Sequence, residues 1–427
     1  MTPELRTRLL DEAERARDEL CDLTARLVRI PTVNPPGEYY RDAAEALGAE
    51  LSKNGYDVRL HEAEGRPEHT RAHPRVNVLG RLGGSAHPAV HLNGHLDVVP
   101  ASAGWTVDPF AAVVRDGKIF GRGTADMKAG LAAAVIAVEV ARRAGLSLQG
   151  SVEISGTVDE ESGGQAGVVW LCERGVIRRD RVDHVIIPEP LNPDRICVGH
   201  RGVYWFKVTA HGRVSHGSMP FLGTSAIDHL AHLVERIRTE LQPGLRRRTT
   251  QMPVVPADAR HATLNVNSII GGQAGREPQT PCVADLAEAI FDRRFLLEEG
   301  FGGAKQEIVD LLARAQAEDP ARRYALEDLL VFHPVQTPEG SPLVAALERA
   351  ISGVYDRPAT LVASPGTYDH KHFARLGGID HCVAYGPGTL ELAHQPDEHI
   401  VIDDLVRATA VMAIALVELE VFASAGG

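Results

Sequence analysis

Ala89-Val90-His91-Leu92-Asn93-Gly94-His95-Leu96-Asp97 reads as a short apolar strand that runs into a His-x-Asp triplet. The segments around it alternate between strand and helix patterns. Val76–Leu82, residues 89–93, residues 151–158 and His184–Ile187 read as strands. Residues 11–28, 40–54 and 129–144 carry helical spacing, and Ile30-Pro31-Thr32-Val33-Asn34-Pro35-Pro36-Gly37 reads as a loop from its proline and glycine. This alternation predicts an α/β fold with a helix-covered, mostly parallel sheet.

Further along the pattern changes. Residues 203–210 read as strand, 226–241 as helix, 263–270 and 284–295 as strands, 303–317 as helix and 325–332 as strand. The order β-α-β-β-α-β predicts a two-layer, ferredoxin-like α+β unit. After it the first style returns, with a helix over 343–355, a strand over 381–385 and an apolar helix over 403–422 capped by Asp403. Three segments follow: residues 1–198 and 336–427 form one domain, and 199–335 is inserted into it.

Bulk properties narrow the function. The 427 residues are 44% hydrophobic and 24% charged, the balance of an ordinary globular protein. The net charge of −12 speaks against nucleic acid or an anionic membrane as partner. Five scattered cysteines with no CxxC point to buried thiols in a reduced, cytoplasmic compartment. Residues 1–20 have the charged, amphipathic spacing of a helix rather than a signal sequence, and no apolar run reaches membrane-spanning length.

Five side chains stand where metal ligands would. In open α/β sheets, ligands gather at the carboxyl ends of strands. His95, Glu161 and Glu189 each closely follow a strand segment, and His394 follows Ala384-Tyr385-Gly386-Pro387-Gly388. Asp126 ends the glycine-rich Gly121-Arg122-Gly123-Thr124-Ala125. Two imidazoles and three carboxylates suit a pair of divalent cations, and Asp126 can give one oxygen to each. Zinc, cobalt and manganese all tolerate such a set. In extended chain Asp97 lies on the same side as His95, so its carboxylate is expected to accept a hydrogen bond from the ring nitrogen that leaves the metal free. The adjacent Glu160 and Glu161 would repel at a buried strand end unless a cation compensates. One of the two binds metal in this reading; the other moves the proton of an attacking water.

These motifs resemble the di-zinc peptidase and deacylase family of acetylornithine deacetylase, succinyl-diaminopimelate desuccinylase, aminoacylase and carboxypeptidase G. The resemblance runs from Leu27-Val28-Arg29-Ile30-Pro31-Thr32-Val33-Asn34-Pro35-Pro36-Gly37 through Gly94-His95-Leu96-Asp97 and Asp126-Met127-Lys128 to Ala393-His394-Gln395-Pro396-Asp397-Glu398. It implies that His95, Asp126 and Glu189 hold one Zn2+, and Asp126, Glu161 and His394 the other. Glu160 would be the general acid/base and Asp97 the partner of His95. The resemblance also implies a homodimer through the inserted domain, with His216 of Gly212-Arg213-Val214-Ser215-His216-Gly217 as an oxyanion donor across the interface. Arg294 of Asp292-Arg293-Arg294 would clamp a substrate carboxylate.

Two places depart from the family. After Gly271-Gly272 the family places an asparagine, and Gln273-Ala274-Gly275-Arg276-Glu277-Pro278 has none. The desuccinylase-type loop Gly-Thr-Asp-Ala-Arg becomes Gly366-Thr367-Tyr368-Asp369-His370-Lys371, which puts Tyr368 and Lys371 at the expected anion site. The resulting expectation is a di-zinc hydrolase of a small N-acylated amino acid. A dipeptidase or carboxypeptidase is the rival within the same chemistry, and a metal- or ligand-binding protein without catalysis is the rival outside it.

Overall fold

The computed structural model describes residues 1–273 and 281–424. The chain divides into two compact units. The first consists of Met1–Val198, Thr337–Val362 and the segment from Tyr368 onward; the second of Gly199–Gln336 with Ala363–Thr367.

The first unit is a mixed α/β layer structure. Its sheet runs in the order Asp57–Glu62, Val76–Leu82, Ser151–Thr157, Ala89–His95, His184–Ile187, Cys382–Ala384, Arg195–His200. The four strands from Ser151–Thr157 to Cys382–Ala384 are parallel. The strands outside them are antiparallel. Every residue of Ala89–His95 and Ser151–Thr157 is buried, as expected for strands covered on both faces. Their polar side chains satisfy one another. His91 shares Nδ1 with Glu153 at 3.1 Å and Nε2 with Ser155 at 2.7 Å, and Ser155 donates to Asn93 Oδ1 at 2.7 Å. Without those partners each group would cost free energy to bury. The Ala- and Val-rich helix Ala129–Arg143 packs against Ile402–Glu418 in the main hydrophobic core.

Three local expectations are corrected. The helix anticipated over 11–28 is two helices, Pro3–Arg15 and Arg17–Val28, separated at Ala16. The C-terminal helix is Ile402–Glu418, and Phe422–Ser424 pairs with Leu146–Leu148 instead of continuing it. Asp403 lies in the first turn, not at the cap, where its carboxylate meets Arg17 at 2.7 Å and favours the positive end of the helix. The half-exposed strand Asp57–Glu62 went unread because it lacks a clean apolar alternation.

The second unit holds Gly202–His211, Ala226–Arg236, Thr263–Gly272, Leu286–Phe295, Gly300–Glu318 and Arg323–Phe332. Its four-stranded sheet is antiparallel, in the order Thr263–Gly272, Leu286–Phe295, Gly202–His211, Arg323–Phe332. The two long helices pack on this sheet over a core that includes Phe206, Phe291, Leu230 and Ile308. This is the ferredoxin-like arrangement of the β-α-β-β-α-β order. No helix among the described residues is long and apolar enough to cross a membrane.

Because three central strands of the first unit are parallel, His95, the Glu160–Glu161 turn and Glu189 leave the sheet at the same edge. Gly130, in the first turn of Ala129–Arg143, sits so close to this edge that an added Cβ would lie 2.0 Å from the carbonyl oxygen of Pro188. Gly130→Ala is therefore expected to cost about 1–3 kcal/mol by overpacking, a fall in Tm of roughly 1–5 °C. Bound metal should fall with it, because Pro188 leads directly into Glu189. Thermal unfolding and metal analysis of the variant check both.

Candidate metal centre

The ligand atoms of His95, Asp126 and Glu189 lie within 4.8 Å of one another, and so do those of Asp126, Glu161 and His394. Asp126 belongs to both groups, so the two triads share one carboxylate. Its Oδ1 is 3.0 Å from His95 Nε2 and its Oδ2 is 3.4 Å from His394 Nε2. Glu161 Oε1 is 3.0 Å from His394 Nε2, and Glu189 Oε1 is 4.0 Å from His95 Nε2. Donors of this kind, converging on two points through a shared carboxylate, fit two divalent cations.

The backbone around the ligands is held by two other buried acids. Glu398 Oε1 accepts N–H bonds from Gly123 (2.9 Å), Ala125 (2.8 Å) and Asp126 (3.1 Å). Its Oε2 takes a 2.6 Å ion pair from the buried Arg122, whose other guanidinium nitrogen donates to the carbonyl of His394 at 3.2 Å. Asp97 accepts the N–H of Glu160 at 3.2 Å and of Glu161 at 3.1 Å. This corrects the expected role of Asp97. The ring Nδ1 of His95 donates to the backbone carbonyl of Asp97 at 2.9 Å, and the carboxylate lies 3.7 Å away. The imidazole is still fixed with Nε2 facing the triad, but the carboxylate serves the Glu160–Glu161 turn.

Glu160 stands beside Asp369. Burial, with the Asp369 charge, pushes its carboxyl up to about 8. Burial and the Asp126 charge raise Glu161, and the same two causes raise Glu189 well above the usual range. Burial opposes charge on His95, but Asp126, Glu189 and Asp97 outweigh it and hold the imidazole well above its ordinary pKa. Hydrogen bonds to Asp126 and Glu161 lift His394 to about 10. Without cations the cluster thus neutralises itself with protons, which metal binding must displace.

The other expected substrate-contacting residues of the first unit turn inward. Tyr368 is buried, and its hydroxyl donates to the Cys197 carbonyl at 3.3 Å. Lys371 is buried, and its ammonium donates to the Tyr368 carbonyl at 3.0 Å while its charge opposes those of Glu160 and Asp369. Both side chains are thus buried, where the sequence expectation has them meet a substrate anion.

In the second unit His216 is exposed, with Nδ1 at 2.7 Å from Ser218 Oγ. Arg294 holds Asp292 with two bonds, of 2.7 and 2.9 Å. Sequence reading missed its neighbour Arg201. That side chain is buried and donates to the carbonyls of His261 (2.9 Å) and Pro365 (3.2 Å). Burial and the charge of Arg294 push its pKa down to about 10, and its Nε has no hydrogen-bond partner among the described residues. Only the His200-Arg201-Gly202 turn between two strands hinted at it. The segment 274–280, which carries most of the stretch lacking the family's asparagine, lies outside the described residues.

Such a centre belongs to a metal-dependent hydrolase of amide bonds in small substrates. The chain is a member of peptidase family M20/M25/M40, whose profile matches residues 91–418. It is 29% identical to a probable succinyl-diaminopimelate desuccinylase of Staphylococcus epidermidis over 398 residues, 88% of this chain and 92% of that protein. It is 28% identical to the succinyl-diaminopimelate desuccinylase of Psychrobacter arcticus, with 92% of each chain covered. Among solved structures it resembles a family M20 metallo-carboxypeptidase of Sulfolobus solfataricus, with a TM-score of 0.73, 20% identity and coverage of 94% of this chain and 99% of that one. Human carnosine dipeptidase 1 gives a TM-score of 0.71 at 19% identity, covering 97% and 99%.

The titrations make the metal-free protein sensitive to pH. Glu160 rises from an ordinary 4.5 to about 8, so its folded form binds protons more tightly and stability falls as pH climbs through that window. His394 rises from 6.5 to about 10, so its contribution is complete below 6.5 and lost by about 10. Asp126, held low once burial is outweighed by His394 and His95, is ionised throughout and adds no slope. The Tm of chelator-treated protein is expected to fall steadily from pH 5 to 9, and zinc should remove most of that slope. Thermal scans across the range, with and without zinc, measure it.

Proposed function

We propose that this protein is a di-zinc deacylase that hydrolyses the amide of a small N-acylated amino acid bearing a free carboxylate. The observation that carries the reading is the pair of triads sharing Asp126, with Glu160 close enough to feel the charges of His95 and Glu161. His95, Asp126 and Glu189 would hold one cation, and Asp126, Glu161 and His394 the other. A bound pair supplies Lewis-acid polarisation of the scissile carbonyl and a lowered pKa for the attacking water. Glu160 takes the proton from that water at its carboxylate and returns it to the departing amine. The backbone of the Glu160–Glu161 turn, tied to Asp97, keeps that carboxylate aimed.

Substrate selection is assigned to the second unit. Arg294 already holds Asp292, while the Nε of the buried Arg201 has no partner among the described residues, so a substrate carboxylate would satisfy it. The desuccinylase relatives, whose named substrate carries several carboxylates, favour an N-succinyl or similar acidic acyl group. His216 would donate to the developing oxyanion from the partner of a homodimer formed through this unit. The edge strand Thr263–Gly272, with Ile269 and Ile270 exposed, offers a face for that association. The five free cysteines and the acidic surface suit a cytoplasmic enzyme that binds neither nucleic acid nor membrane.

The test is turnover of N-succinyl amino acids, N-acetyl amino acids and dipeptides by zinc-loaded protein, beside Glu160→Ala. Hydrolysis of the N-acyl compounds is expected, with kcat lowered about 10²–10⁴-fold in the variant at unchanged metal content. Preference for the dipeptides would move the enzyme to the peptidase branch. No turnover with metal bound would point to a binding protein.

A further inference from the structure

The loop at residues 30–37 does more than connect two helices. It lies alongside the segment that follows His95: Val98 donates its N–H to the Thr32 carbonyl at 3.0 Å, and Asn34 donates its own to the Val98 carbonyl at 2.9 Å. Asn34 is buried, with 4% of its surface exposed. Its Nδ2 donates to Asp97 Oδ2 at 3.1 Å and to Ser162 Oγ at 3.0 Å. Asp97 takes the N–H groups of Glu160 and Glu161, and Ser162 closes the same turn. One amide nitrogen therefore ties both ends of the turn that carries Glu160.

We propose that Asn34 is a positioning residue for Glu160, acting through Asp97 and Ser162. The site calls for an uncharged group with two hydrogens on one nitrogen. An aspartate there would set a second carboxylate against Asp97, and an apolar residue would leave both acceptors short of a donor. Without Asn34 the Asp97 carboxylate keeps its two backbone donors but loses its fixed orientation. The Glu160 carboxylate then samples more positions around the attacking water, and misplacement by a fraction of an ångström slows a proton transfer. This inference rests on Glu160 being the proton-transfer group.

The experiment compares Asn34→Ala in the wild-type and Glu160→Asp backgrounds, at saturating zinc, on the best N-acyl amino acid. In the wild-type background kcat is expected to fall about 10–100-fold while KM moves less than about threefold and bound zinc is unchanged. In the Glu160→Asp background, whose shortened carboxylate is already displaced, the same substitution should cost little more. An equal loss in both backgrounds, or a fall in bound zinc that accounts for the loss of kcat, would overturn the proposal, since either would mean that Asn34 serves folding or metal affinity. Unchanged kcat would overturn it outright. Should Asn34→Ala fail to fold, Ser162→Ala at the exposed end of the turn carries the same cycle, with a smaller loss and the same non-additivity. Glu160→Asp as fast as wild type, or an inactive wild type, would instead fell the reading of Glu160, and this inference with it.

Discussion

Glu398 and Asp97 belong to neither triad, yet the triads depend on them. Each spends its carboxylate on backbone N–H groups of the loops that carry the ligands. A surface loop ordinarily leaves such groups to water and gains mobility from it. Here the acceptors are charged and buried, so the bonds are strong and the loop backbone is fixed. The side chains of Asp126, Glu160 and Glu161 are then free to face the centre, because their own carboxylates are not needed to hold the loops.

That arrangement concentrates negative charge. Arg122 against Glu398 and Arg75 against Asp159 neutralise part of it at buried ion pairs. Lys128 adds a buried cation whose pKa burial pushes down to about 7, and it hands its hydrogens to the carbonyls of Leu27 and Ile30. Arg122 reaches the triads only at the backbone carbonyl of His394, so the inner carboxylates are left to the two imidazoles and to protons or metal.

The ligands were legible because each follows a strand or a glycine-rich turn, and a strand's direction fixes where its end points. Glu398 stands in the Ala393-His394-Gln395-Pro396-Asp397-Glu398 motif with no role of its own, because spacing along a loop does not say which acid folds back. For Asp97 the spacing leaves open which oxygen meets His95, because its side chain and its carbonyl both lie within reach of the ring and only the conformation separates them. Asn34 was hidden by the prolines beside it, which explain a loop without explaining its one buried amide. Arg201 had no periodic pattern around it and paired with nothing in the sequence.

Chemistry and selectivity are encoded differently in this chain. The metal ligands need a narrow set of atoms at strand ends, so residue type and order announce them. An anion can be read by any cation that ends up near it, and a lysine substituted for an arginine changes which cation that is. Lys371 donates to the Tyr368 carbonyl, and its charge opposes those of Glu160 and Asp369. In the proposed reaction the burden of anion recognition then passes to Arg201 and Arg294. Arg294 already holds Asp292, whereas the buried Arg201 keeps an Nε with no partner among the described residues, and that open donor is the physical argument for an acidic substrate.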